Sequence, residues 1–107
     1  MVFNTGAALL DAIVLAVVSK EAEGTYGYKI TQDVRQAIEI SESTLYPILR
    51  RLEVAGKVKS YSTEYNNRIR KYFSITQAGK KALEDFEQDR VALMKVLDFI
   101  SGGKVNE

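Results

Sequence analysis

The 107-residue sequence contains no cysteine, no histidine and no tryptophan. Without cysteine and histidine, disulfides, thiolate nucleophiles, Ser-His triads and the usual zinc ligands are all excluded. Carboxylates such as Asp85 and Asp89 stand beside basic residues on one helical segment and need no catalytic explanation. We therefore predict no catalytic residue, no metal site and no cofactor.

A long hydrophobic run is also missing. The apolar stretch from Ala7 to Val18 is broken by Asp11, has no basic leader and is shorter than the about 20 residues that span a bilayer. We expect a soluble, cytoplasmic protein with no membrane partner, and the lack of cysteine fits a reducing compartment. A chain of 12.0 kDa indicates one domain, with a core small enough to be compatible with an obligate partner chain.

Acidic residues are scarce in only one segment of the chain. The whole chain has a formal net charge of +1, but the segment from Thr44 to Tyr72 contains seven basic and two acidic residues. This segment is therefore +5, while the rest of the chain is −4. A positive band on an otherwise acidic protein is typical of a surface that binds a polyanion.

The segment from Ser41 to Gly56 is predicted to be a helix. Leu45, Leu49 and Leu52 recur at steps of four and three, Ser41 or Ser43 can cap the start, and Gly56 can end it. The opposite side combines hydroxyls, a tyrosine and arginines, which can reach base edges and phosphates in a major groove. Alone, the pattern also fits a core helix with a solvated basic face. The residues on this side are Ser43, Thr44, Tyr46, Pro47, Arg50 and Arg51.

Two further helices are predicted before it. Ala7 to Lys20 has a wide apolar face, which suits either the core alone or the core together with a second subunit. After a turn around Gly24, a helix from Gly27 to about Ile38 places Tyr28 and Lys29 in its first turn, where free amides favour phosphate. Tyr28 is equally compatible with an ordinary packed aromatic. The short link to the next helix predicts a helix-turn-helix.

After Gly56 the pattern changes from helical to alternating and predicts a β-hairpin that ends at Thr76. Asn66 and Asn67 supply the turn, since asparagine accepts left-handed backbone angles. A basic hairpin after a recognition helix is typical of a wing that contacts the DNA backbone or the minor groove, although Lys and Arg also protect strand edges in solvated hairpins. The basic residues expected to contact phosphate here are Lys59, Arg68, Arg70 and Lys71.

The last predicted helix runs from Gln77 to about Ser101, capped by Thr76 and ended by Gly102-Gly103. About 25 residues give roughly 37 Å of helix, more than a core of this size covers. Its apolar residues follow alternating three and four steps and predict pairing with another chain; the alternative is a helix folded back on its own domain. The predicted seam is Leu83, Phe86, Leu93, Leu97 and Ile100.

The chain resembles the PadR family of regulators. The resemblance is carried by Gly27-Tyr28, by Thr44-Leu45-Tyr46-Pro47 with Arg51-Leu52-Glu53, by Arg70-Lys71-Tyr72 and by Ile75-Thr76 with Gly79. It implies a winged-helix homodimer, usually a repressor, that pairs through its C-terminal helices. The single last helix resembles the small subfamily. Two departures are the Asn66-Asn67 tip, which is glycine-rich in many relatives, and the missing tryptophans that stack planar drugs in others.

These patterns together predict a mainly α fold with a small β-hairpin. We expect a winged helix-turn-helix over residues 1–76, a dimerisation helix over 77–101 and a loose tail over 102–107. The predicted function is transcriptional regulation through an inverted-repeat operator in double-stranded DNA; the alternative is a winged-helix protein-interaction module. A planar hydrophobic effector at the dimer axis would contact Phe3, Phe86 and Phe99. Simple packing of the dimer by these rings is the alternative.

Overall fold

The computed structural model describes residues 5–102 and, within them, the side chains of residues 8–102. Four helices and a three-stranded antiparallel sheet alternate along the chain, as the predicted mainly α fold requires. The elements are α1 Thr5–Ser19, β1 Thr25–Tyr26, α2 Gly27–Val34, α3 Glu42–Val54, β2 Val58–Tyr65, β3 Arg68–Ile75 and α4 Gln77–Ile100.

The core lies where α1, α2 and α3 pack together against one end of the sheet. Each helix turns its apolar stripe inwards, so that side chains such as Val14, Ile30 and Leu45 lose all contact with solvent. Val58 and Phe73 close the core from the sheet. Burying a side chain of this size contributes about 1.5–3 kcal/mol. The predicted helix faces are therefore confirmed for all three helices.

The ends of α3 and α4 match their predicted caps. Ser41, rather than Ser43, caps α3 by accepting a bond from the Thr44 amide at 3.3 Å. Thr76 caps α4 by accepting from the Gly79 amide at 3.0 Å. Gly56 follows α3 with a φ of +77°, a left-handed angle that glycine adopts without strain. These caps fix where the recognition helix and the last helix begin.

Two predicted boundaries are wrong. The helix expected to reach about Ile38 ends at Val34, because the amides of Gln36 and Ala37 bond carbonyls three residues back, and Arg35 Nε donates to the Ile40 carbonyl at 2.8 Å. The segment expected to be only a turn contains β1, whose two residues pair with Phe73 and Tyr72 of β3. A two-residue strand is too short to show alternation, so the sequence pattern does not reveal it.

The hairpin has the predicted turn. β2 and β3 pair from Val58↔Ile75 to Tyr65↔Arg68 without a bulge, and the strand order in the sheet is β1-β3-β2. Asn66 and Asn67 have φ values of 52° and 64°, and two consecutive positive angles are the signature of a tight turn that matches strand twist. The hairpin tip therefore extends well beyond the two residues of β1.

The last helix makes the described molecule long. Its first half packs on α1 and β3, whereas the second half extends from the core, and the chain measures 58 × 26 × 21 Å. Within residues 5–102, none of the helices combines the length and the apolarity that a bilayer crossing needs. The second half of α4 nevertheless exposes large apolar side chains, namely Val91, Met94, Val96, Leu97, Phe99 and Ile100.

Candidate nucleic-acid interface

A groove of about 660 Å³ separates the first turns of α2 and α3 from the hairpin tip. It brings together five of the residues expected to contact DNA, which come from three different elements. The groove also contains residues that the sequence pattern did not single out. Its lining comprises Tyr26, Gly27, Tyr28, Glu42, Tyr46, Tyr65, Asn66, Arg68, Ile69, Arg70 and Lys71.

The outward side of α3 presents the residue types that the sequence predicted. The Ser43 hydroxyl lies 3.0 Å from that of Ser41, and Ser41 Oγ lies 3.2 Å from Thr44 Oγ1, so the helix begins with a cluster of exposed hydroxyls. Pro47 has no amide hydrogen, which leaves the Ser43 carbonyl without its helical donor. Arg50 is exposed and forms no ion pair with any described residue. This side can therefore both donate and accept hydrogen bonds.

Tyr46 links α3 to the start of α2. Its ring lies directly over Gly27, where an added Cβ would come within 2.6 Å of the ring carbon that carries the hydroxyl. Only a glycine leaves room for this contact. Partial burial, with a smaller contribution from the nearby Glu42 carboxylate, raises the pKa of the Tyr46 phenol above its ordinary value. The phenol therefore stays protonated and can donate a hydrogen bond into the groove.

Three of the predicted DNA-contacting cations are engaged by carboxylates. Arg51 is paired with Asp11 of α1, on the side of α3 that faces α1. Lys71 Nζ lies 3.8 Å from a carboxylate oxygen of Glu53. The Arg51 pair joins α3 to α1, and the Lys71 pair joins the hairpin to α3. Arg51 and Lys71 therefore also help to hold the domain together.

The third engaged cation is Lys29, whose Nζ lies 3.0 Å from Asp33 and 3.3 Å from Glu21. Hydrogen bonds to these two carboxylates, that to Asp33 first, raise the pKa of Lys29 above its ordinary value. Lys29 points towards its own helix and the preceding turn rather than towards the hairpin, and it is not part of the groove lining. Lys59 and Arg68 are exposed and make no ion pair among the described residues.

Residues missed by the sequence pattern flank Arg70. Its guanidinium carbon lies 4.0 Å from the ring centroid of Tyr26 and 3.9 Å from that of Tyr65. Alternation along the hairpin could have placed Tyr65 on the same face as Arg70, because Tyr65 pairs with Arg68, which stands two residues before Arg70 on the same strand. Tyr26 gave no such signal, since its strand has only two residues.

The residues predicted to form the effector pocket and the dimer interface lie along α4, apart from Phe3. Leu83, Phe86 and Leu93 are half-buried, whereas Leu97 and Ile100 are exposed at 47 % and 71 %. Phe99 is 79 % exposed. It stands 13 residues beyond Phe86, or about 20 Å along the helix, so one chain alone cannot bring the two rings into a common pocket. Phe3 lies outside the described residues.

The part of the chain that the structure describes contains no cluster of metal-binding side chains. Among the described residues, no three acidic side chains come together in a way that could hold a metal ion.

The comparisons agree on one family. Residues 14–85 match the family model described as the transcriptional regulator PadR-like family. The "Transcriptional regulator Rv3488" of Mycobacterium tuberculosis is 35 % identical over 80 residues, covering 74 % of this chain and 72 % of that protein. The crystal structure of smu.1704 from Streptococcus mutans is 36 % identical, with a TM-score of 0.78 and complete coverage of both chains.

One of the similar solved structures contains operator DNA. The crystal structure of Bacillus subtilis PadR in complex with operator DNA is 25 % identical and has a TM-score of 0.66. The match covers 73 % of this chain and 46 % of that one. Because the family model spans more than half of the sequence, and the fold agrees, this chain belongs to the PadR-like family of transcriptional regulators.

Proposed function

We propose that this chain regulates transcription by binding double-stranded DNA, with α3 in the major groove and the β2–β3 hairpin as a wing on the adjacent backbone. One observation carries the proposal: the first turns of α2 and α3 and the hairpin tip line a single groove with Arg68, Arg70 and Lys71 on one wall. The complex of Bacillus subtilis PadR with operator DNA supports DNA as the partner.

Different residues would perform different parts of recognition. Contacts to phosphate position a protein on the duplex, whereas contacts to base edges read the sequence. Tyr28, Lys59 and Arg68 are exposed and suit phosphate. Arg50 and the hydroxyls of Ser43 and Thr44 suit base edges, because they face outwards from α3 without carboxylate partners. Arg51, Lys29 and Lys71 would first have to leave their carboxylates.

We propose further that the protein acts as a homodimer on an inverted repeat and usually represses. The support is the second half of α4, which exposes a continuous set of large apolar side chains that a single chain leaves in water. The domain assignment stays the predicted one, with residues 1–76 for DNA and 77–101 for pairing. Two copies would present two α3 helices to successive major grooves.

The decisive experiment is a salt titration of DNA affinity. Arg68→Ala should weaken binding to every sequence and lower the slope of log affinity against log salt by about two units in the homodimer, because each subunit loses one phosphate contact. Arg50→Ala should leave that slope and relax discrimination at one base pair, at a cost of about 1–3 kcal/mol. Lys95→Ala, on the exposed surface of α4, is the matched control and should change neither.

Absence of salt-dependent DNA binding in the wild type would reject the proposal. It would favour the alternative, a winged-helix module that binds another protein. Unchanged affinity and slope in Arg68→Ala would reject only the wing assignment.

A planar hydrophobic effector is a second proposal, supported by Phe99 and Met94 on the exposed part of α4. In a dimer these side chains and Phe86 of the two copies would approach one axis, where flat rings can stack and Asp85 or Asp89 can attract a cation. An effector that favours a dimer geometry with a poorer fit to DNA would release the operator. Calorimetry with a panel of planar cationic dyes, repeated with Phe86→Ala, tests it. No heat of binding across the panel would reject it.

A further inference from the structure

One face of the hairpin carries a row of aromatic side chains to which the proposed function assigns no role, although Tyr65 lines the groove. In the register of the sheet, Tyr65 and Arg68, then Thr63 and Arg70, then Tyr61 and Tyr72 stand opposite each other on this face. Tyr26 of β1 joins the row beside Tyr72.

Every ring in the row is in contact with another member. The Arg70 guanidinium lies between the rings of Tyr26 and Tyr65, 4.0 Å and 3.9 Å from their centroids. The Tyr26 ring meets the Tyr72 ring edge-on at 5.6 Å, and the Tyr72 ring stacks on Tyr61 at 5.5 Å with an interplanar angle of 11°. The one guanidinium therefore contacts two aromatic rings, which makes a double cation–π contact.

The contacts join two parts of the molecule that the backbone leaves unconnected. Tyr65 directly precedes the turn at the hairpin tip, and Tyr26 directly precedes α2. Backbone pairing between β1 and β3 stops at Tyr26↔Tyr72, so residues 68–71 of β3 have no strand on that edge. Without another contact, the outer half of the hairpin would be free to twist relative to α2 and α3.

We propose that Arg70 is a positioning residue that fixes the hairpin tip against the start of α2, through its place between Tyr26 and Tyr65, rather than a contact to DNA phosphate. This assignment rests on the proposed function, because the geometry it fixes is that of the DNA groove. It replaces the phosphate contact that the sequence predicts for Arg70.

Two further observations support the assignment. Tyr61, at the far end of the row, donates its hydroxyl to the Glu23 carbonyl, so the row is also anchored to the turn before β1. Arg70 is half-buried, whereas Arg68, one pair closer to the tip on the same face, is exposed. Hydrogen bonding with Tyr72 raises the pKa of Arg70 above its ordinary value, and the neighbouring phenols raise it further. The guanidinium therefore stays positively charged.

The first experiment needs no DNA. The Nε–H proton of Arg70 should resonate upfield of the other arginine side chains, because two ring currents act on it, and Arg70→Lys identifies the signal by its loss. Tyr65→Leu should return the signal to the ordinary range. A signal in the ordinary range in the wild-type protein would overturn the proposal.

The second experiment separates positioning from charge. Arg70→Lys keeps the charge but cannot lie flat between two rings. It should lower operator affinity about tenfold, the loss of two cation–π contacts, with an unchanged salt slope. Arg68→Lys is the matched control and should bind like the wild type. Arg70→Lys combined with Tyr65→Leu should lose no more affinity than either alone, since both act through one contact. Circular dichroism and urea unfolding exclude loss of the fold.

The results of these experiments separate a positioning role from a phosphate contact and from a failure of the proposed function. If Arg70→Lys binds like the wild type and Arg70→Ala lowers the salt slope of the homodimer by about two units, Arg70 is a phosphate contact in each subunit and the proposal is overturned. If the wild type binds no duplex DNA, the proposed function fails and a positioning role in DNA binding fails with it, whereas the upfield signal still reports the contact among Tyr26, Arg70 and Tyr65.

Discussion

Gly79 shows how a single residue determines the junction between the winged domain and α4. It lies in the first turn of α4 and is buried, and an added Cβ would press on the backbone carbonyl of Lys57 and come within 2.6 Å of Ile75 Cγ1. The carbonyl cannot rotate away, because it accepts the Thr76 amide at 3.1 Å. The last helix therefore leaves the sheet in the one direction that a glycine permits.

Replacing Gly79 by alanine should change the free energy of unfolding in the direction opposite to that expected for an ordinary helical glycine. In an ordinary helix Gly→Ala stabilises by about 1 kcal/mol. Gly79→Ala should instead lower the free energy of unfolding by about 1–3 kcal/mol, because overpacking prevails. Urea unfolding measures it. The neighbouring Ala78→Gly is the control at an exposed position and should cost no more than about 1 kcal/mol. A stabilised Gly79→Ala would show that α4 can shift freely.

Tyr46 provides a pH prediction at the same scale. Its pKa is raised from 10.0 by burial and, less, by Glu42. At pH values between the pKa of Tyr46 in the unfolded chain and its pKa in the folded protein, the unfolded state holds fewer protons. The contribution of Tyr46 to the free energy of unfolding should therefore be constant below about pH 10 and fall as the pH rises above it. Absorbance titration of phenolate detects the group, since no tryptophan interferes. Tyr46→Phe should remove one transition whose midpoint lies above that of a free tyrosine, and Glu42→Gln should lower that midpoint slightly.

The tip of the hairpin is the element in which the chain departs most from a glycine-rich wing. Asn66 and Asn67 both hold positive φ angles, which cost about 1–2 kcal/mol for most L residues and less for asparagine. Asn67→Gly should stabilise the hairpin by several tenths of a kcal/mol, because Asn-Gly is the favoured pair for such turns. Asn67→Val should destabilise it by about 1–2 kcal/mol.

Hydrogen exchange of the β2 and β3 amides measures this change where it occurs. Gln77→Gly, outside the hairpin, is a control that should leave hairpin protection alone. Equal protection in Asn67→Gly and Asn67→Val would mean that the turn angles do not control the stability of the hairpin.

The same elements show what a sequence can and cannot reveal. The four helices, the hairpin and its turn, and the caps at Ser41 and Thr76 follow from periodicity and local chemistry, and they are confirmed. Contacts between distant segments are not encoded locally. Arg51 meets Asp11 from 40 positions away, so its pairing could not be read from the pattern around α3. The two-residue β1 escaped for the same reason, since only its pairing with β3 defines it.

The candidate site shows the same difference between local pattern and contacts between distant segments. Local pattern was enough to predict the outward face of α3 and the basic residues of the hairpin. It could not predict the carboxylate partners of Arg51 and Lys71, nor that Arg70 contacts both Tyr26 and Tyr65, because these contacts depend on the path of the chain in space. The DNA and dimer assignments themselves stay predictions.

At the scale of the whole molecule, the long axis of 58 Å reflects an α4 that outgrows its own core. Leu97, Phe99 and Ile100 are between 47 % and 79 % exposed in a single chain. A leucine that is exposed in the monomer can be replaced by a charge without leaving a cavity. Leu97 is therefore a better probe of self-association than the half-buried Leu93, whose loss could also unfold the chain.

Leu97→Asp should convert a dimer into a folded monomer. A carboxylate introduced into an apolar interface between two chains would be desolvated without a partner, which costs several kcal/mol, whereas in the monomer it stays in water. Sedimentation should give 12.0 kDa for the variant and twice that mass for the wild type, with unchanged circular dichroism. Lys95→Asp, also on the exposed surface of α4, is the matched control and should remain dimeric.

The monomeric variant also tests how the whole molecule meets DNA. A dimer binds two half-sites one helical turn apart, about 34–36 Å, or a multiple of it, so moving the half-sites by five base pairs should abolish tight binding by the wild type. Leu97→Asp should bind one half-site weakly and be indifferent to that spacing, with a salt slope near half the wild-type value, because half the phosphate contacts remain. If a dimeric wild type were equally indifferent to spacing, α4 would pair the chains without setting the distance between the two recognition helices.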